Sequence, residues 1–101
     1  MIDFRNVNVN FPTLSGGQQR QNGFATFGGR VRDANAAIKG FTIFYGNGDH
    51  EILRQVVDID AVTVNGNVVN FAVDLALRDN SGNFDDPFGG RVEVLVIADV
   101  A

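Results

Sequence analysis

Apolar residues return at every second position along much of this chain, and that period of two restricts its fold more than any other feature. Phe71, Val73, Leu75 and Leu77 point one way, with Asp74, Ala76 and Arg78 pointing the other. Val92, Val94, Val96 and Ala98 share a second such face, while Leu95 and Ile97 load the opposite side. Asn6-Val7-Asn8-Val9-Asn10-Phe11 alternates strictly, and Phe41, Ile43 and Tyr45 alternate with Thr42 and Phe44. Successive side chains of a strand point to opposite faces, so these stretches read as strands with one face on a core. A helix would place its apolar residues three and four apart, and no segment of useful length does so. A last strand that is apolar on both faces belongs at the centre of a sheet or at an interface.

The breakers between these stretches complete the fold class. Thr13 to Asn22 reads as a long loop, Gly28-Gly29 as a bulge within a strand, and Asp33-Ala34-Asn35-Ala36 as a turn. Gly46-Asn47-Gly48-Asp49-His50 joins one strand to the next, from Glu51 to Asp60. A separate strand, Ala61 to Val64, then leads into Asn65-Gly66, the pair that favours a two-residue type I′ hairpin turn. This gives seven to eight short strands and an all-β fold, an antiparallel β-sandwich for which a jelly roll is one arrangement. At 101 residues there is room for one domain, residues 1–101.

Composition narrows the function. The net charge is −4, from 8 Lys and Arg against 12 Asp and Glu, and the cations are scattered. Nucleic-acid binding needs clustered cations that displace counterions, so it is not expected. With no Cys there is no disulfide, thiolate metal site or cysteine nucleophile. No stretch reaches the roughly 18 apolar residues of a membrane-spanning helix, and the N-terminus has no signal-peptide pattern, so the chain reads as soluble with no membrane partner. The high hydrophobic fraction, 45% in so short a chain, points to a homo-oligomer in which a neighbour covers some of the apolar surface.

The segment that stands apart runs from Arg78 to Gly90, acidic, aromatic and glycine-rich together. Asp79, Ser81, Asn83 and Asp85 fall at alternate positions around Gly82. Calcium loops place oxygen ligands at this spacing, because a curled backbone turns alternate side chains inward. The Glu that closes an EF-hand is missing, and Gly90 stands there instead. Solvated turn residues account for the same pattern, so calcium is one of two readings. Phe84 and Phe88, beside Asp85 and Asp86, have the composition of a sugar site, where rings stack and carboxylates take hydroxyl hydrogen bonds. The same two rings could instead fold inward and anchor the loop. The single His, His50, sits between Asp49 and Glu51 without a nucleophile motif, and Asp58/Asp60 and Asp85/Asp86 read as solvated pairs. No enzymatic activity is expected.

Ile38-Lys39-Gly40-Phe41-Thr42-Ile43-Phe44-Tyr45, then Asp49-His50, then Val57-Asp58-Ile59 resembles part of the H-type lectin domain. That family has a Gly-Phe strand leading through a short acidic turn to the last strand of a six-stranded sandwich. Its members are typically trimers that bind N-acetylgalactosamine-type sugars. The resemblance implies ligand contact at Asp49 and His50. The Trp residues expected around that turn are absent, and about forty residues follow Ile59. Two functions follow as expectations. One is a non-enzymatic lectin-like module that binds a carbohydrate or other small polar ligand through Asp49, His50, Phe84, Asp86 and Phe88. The other is an assembly subunit of phage, capsid or appendage type, self-associating through apolar strands.

Overall fold

The computed structural model describes residues 1–46, 52–79 and 86–101, without the side chains of Leu53 and Asp79. Six strands follow in chain order: β1 (Ile2–Leu14), β2 (Gln19–Thr26), β3 (Val31–Tyr45), β4 (Ile52–Asn65), β5 (Val68–Asp79) and β6 (Phe88–Val100). They form two antiparallel sheets of three strands, in the orders β1-β6-β3 and β2-β5-β4. At the edges β1 lies against β2 and β3 against β4. Strands of 8 to 15 residues rising about 3.3 Å per residue run along the long axis of a body 50 × 18 × 18 Å. No helix among the described residues is long and apolar enough to cross a membrane.

The two most strongly patterned segments become the central strands, β5 and β6. Val92, Val94, Val96 and Ala98 of β6 face Val69, Phe71, Val73, Leu75 and Leu77 of β5 in one core shared by both sheets. The outer faces of the two strands differ. On β6 the outward Leu95 is half-buried and Ile97 is exposed, whereas on β5 Ala72, Asp74 and Ala76 are all buried. The two Ala are too short to reach solvent past the neighbouring strands. Asp74 is covered by Arg20 of β2, whose guanidinium donates to Asp74 at 2.8 Å and to Asp60 of β4 at 2.7 Å. One cation thus ties the three strands of that sheet together.

Among the described residues the strand count is six rather than seven to eight, because several expected breaks lie inside strands. Asp33 to Ala36 is part of β3, where Ala34 pairs with Ala98 and Ala36 with Val96. Both alanines pack against the core, and tertiary burial overrides the turn preference of their neighbours. Asp33 and Asn35 serve the sheet edge instead, accepting from the N–H groups of Ala34 and Ala36, both at 2.9 Å. The chain turns one step earlier, at Gly28-Gly29. Ala61 does not separate two strands either, because β4 passes through it with a register irregularity and φ of 53°. The loop expected over 13–22 shrinks to residues 15–18, and β1 begins at Ile2 rather than Asn6.

The β4–β5 hairpin forms with its turn shifted by one residue. Asn65 pairs with Val68, so the two loop residues are Gly66 and Asn67. Gly66 alone has positive φ, 63°, which is the type II′ pattern rather than type I′. The end of the molecule that holds this turn is stitched by backbone bonds. Phe27 donates to Asn67 O and Val31 to Gly66 O, both at 2.9 Å, while Ala101 donates to Arg30 O and Val100 to Met1 O, both at 2.8 Å. Phe27 is 2% exposed, and the Arg5 guanidinium lies 4.8 Å from its ring centroid.

Candidate functional site

The strand registers set where the connections emerge. Tyr45, the last residue of β3, pairs with Phe88, the first of β6, and Ile52 at the start of β4 pairs with Asp79 at the end of β5. The β3–β4 and β5–β6 connections therefore leave from the same end, opposite the Gly66-Asn67 turn. The β1–β2 connection joins them there, since Leu14 also pairs with Phe88. The stems are bonded to one another. Gly46 N–H donates to Pro87 O at 2.8 Å, and the Gln19 side-chain amide donates to Pro12 O at 3.1 Å and Phe88 O at 3.0 Å. The Gln19 Oε1 is buried and has no protein partner among the described residues.

This end gathers the stems of the segments that carry the sequence-derived site. Asp49, His50, Ser81, Asn83, Phe84 and Asp85 lie outside the described residues, as does the side chain of Asp79 at the tip of β5. Asp86 is half-buried at the stem beside Pro87. Phe88 is 0% exposed and lies in the core, its backbone between those of Leu14 and Tyr45. A ring with no accessible face offers a sugar nothing to stack on, so Phe88 takes the anchoring role and not the stacking one.

The Asp58/Asp60 pair has a different setting from the one its sequence suggests. Asp58 pairs directly with Asp74 across β4 and β5, Asp60 stands two residues on, opposite Ala72, and the three carboxylates have oxygens within 4.8 Å of one another. Like charges facing one another across strands repel, and the cation that offsets this is Arg20. Its guanidinium is held above its ordinary pKa by the hydrogen bonds it donates to Asp60 and Asp74, in that order. The cluster is a cross-strand clamp, with Arg20 48% exposed and Asp74 buried beneath it.

No family model matches this chain, and neither the curated proteins nor the solved structures give a match.

One further concavity lies on the flank, between edge strands β1 and β2. It is lined by Val7 to Asn10 and Gln21 to Phe24 and encloses about 470 Å³. Sequence reasoning takes Asn8 and Asn10 as the outward half of an alternating strand, and Gln21 and Asn22 as loop residues. The Asn-x-Asn spacing was visible, but no local signal shows that β1 and β2 face each other across an open seam. That adjacency follows from placing the two strands at the edges of different sheets.

Proposed function

We propose that the chain is a non-enzymatic binding module for carbohydrate, reading its ligand at the end where the 15–18, 46–51 and 80–87 connections emerge. The observation that carries this is the shared end itself: two segments rich in Asp, Asn and Gly leave from paired strand termini, with their stems joined by the Gly46 to Pro87 hydrogen bond. Binding residues sit disproportionately on loops that a rigid scaffold positions, and a long, tightly packed sandwich is such a scaffold. Asp49, His50, Phe84 and Asp86 are the residues proposed to meet the ligand, with calcium at Asp79, Ser81, Asn83 and Asp85 as an accessory to the same site. The resemblance of residues 38–59 to the H-type lectin domain favours sugar over other polar ligands.

A glycan array probed with the whole chain, with and without millimolar calcium, tests the reading. Binding to a defined group of glycans is expected, and a blank array under both conditions would sink it.

The second reading, an assembly subunit, has its own observation. Ile2 and Phe4 of β1 and Ile97 of β6 are exposed on the outer face of one sheet at 67, 60 and 39%. Mass measurement across a concentration series separates the two readings, because an open-ended polymer favours assembly and a monomer removes it.

A further inference from the structure

We propose that the flank groove between β1 and β2 is a second binding site, for a neutral, extended oligosaccharide, separate from the end loops. Two observations carry it. The eight lining residues, Val7 to Asn10 and Gln21 to Phe24, include no charged side chain, although a fifth of the chain is charged. Four of the eight are amides, Asn8, Asn10, Gln21 and Asn22, and among the described residues none of these has a side-chain hydrogen bond to the protein. Outside the groove the amides are mixed: Gln18, Gln55, Asn65 and Asn70 also have no side-chain hydrogen bond among the described residues, while others are engaged. Asp3, Asp33 and Asn35 bond the next residue's N–H along the sheet edges, Asn6 accepts from Lys39, and Asn67 caps the hairpin end.

The shape fits the same ligand class. Asn8 and Asn10 are two residues apart on one strand, so they stand about 7 Å apart along the groove. Asn22 and Phe24 repeat that spacing on the opposite wall. Phe24 is 63% exposed, a ring available for stacking against the apolar face of a sugar while the amides take its hydroxyls. Gly23 lets β2 lie close on the core beneath the groove, since a Cβ there would come within 2.6 Å of the buried Phe71 ring. β1 and β2 are edge strands of different sheets, so each also presents unpaired backbone N–H and C=O groups to the groove. The volume of about 470 Å³ lies within the roughly 300–1,000 Å³ of small-ligand sites. A wall without charge selects against anionic or cationic ligands, which would have to lose hydration with no countercharge in return.

The inference does not depend on the end loops, and its test keeps the two apart. Isotope-labelled whole chain is titrated by NMR with cellohexaose, maltohexaose and chitohexaose, and in parallel with a neutral hexapeptide. Saturable shifts at the backbone amides of residues 7–10 and 21–24 and at the side-chain amides of Asn8, Asn10 and Asn22 are expected with at least one sugar. Loss of two hydrogen bonds in Asn10→Ala/Asn22→Ala should weaken that sugar by about tenfold or more, and Phe24→Ala should weaken it as well. These side chains are exposed, so the variants should keep the parent spectrum elsewhere. A chain with residues 80–85 replaced by Gly and Ser should bind the sugar in the groove unchanged. Shifts confined to the loop end, shifts in the groove with the peptide alone, or sugar affinity unaltered in both variants would each overturn the proposal.

Discussion

The two ends of the molecule are closed by the same kind of residue and finished in opposite ways. Phe27 plugs one end at 2% exposure and Phe88 the other at 0%. Around Phe27 the chain closes on itself: a two-residue turn, a short connection and both termini are linked by main-chain hydrogen bonds of 2.8 to 2.9 Å. Around Phe88 three connections leave the body, and their stems are tied through Gly46, Pro87 and Gln19. This end holds Phe88 and the tied stems beneath the connections in which the binding site is proposed.

Removing each plug is the strongest way to sharpen this contrast. Phe27→Ala and Phe88→Ala should each lower unfolding stability by about 3–5 kcal/mol, because a buried ring is replaced by a cavity at either end. Denaturant titration checks both values. If Phe88→Ala cost well under 1 kcal/mol, the loop end would lack the anchor assigned to it.

Smaller effects belong to the hairpin end. Gly66→Ala puts a Cβ on a residue at φ 63°, at a cost of about 1–2 kcal/mol. Asn67→Ala removes the 3.0 Å bond to Phe27 O, worth about 1 kcal/mol. Neither should alter sugar binding, and a change in glycan affinity with either variant would break the division between the ends.

The smallest effect is electrostatic and lies on β1. The Asp3 carboxyl is held below the usual aspartate range, first by the Phe4 N–H and then by Arg5. A lowered folded-state value contributes stability that is present above the ordinary aspartate pKa and lost as pH falls through the folded-state value. Asp3→Asn should therefore lower the melting temperature slightly at neutral pH and converge with the parent as pH falls below the folded-state value, a small difference because the group is at the surface.

Much of the fold was legible because core faces leave a period-two trace. The faces of β5 and β6 followed directly from that alternation, as did the central position of β6, which the double loading by Leu95 and Ile97 implies. What the sequence obscured was the length of the strands. Asp33 and Asn35 have turn chemistry, yet they satisfy edge N–H groups inside β3. Asp and Asn side chains close turns and cap edges with the same hydrogen bond, and local sequence does not separate the two. Ala61 likewise marks an irregularity within β4 and not a break. For the site, Phe88 shows the limit of composition: a ring beside carboxylates suits a sugar and a core equally, and only pairing with Leu14 and Tyr45 decides for the core. The groove of Asn8, Asn10, Asn22 and Phe24 needed the strand order of both sheets before it existed at all.

The division between the ends is tested most directly by glycan-array binding of the chain with residues 80–85 replaced by Gly and Ser, beside the parent. The account expects glycan signals assigned to the loop end to disappear while the melting temperature stays within a few degrees of the parent, because Phe88 and the Gly46 to Pro87 bond remain. A replaced chain that keeps every glycan signal of the parent would contradict it.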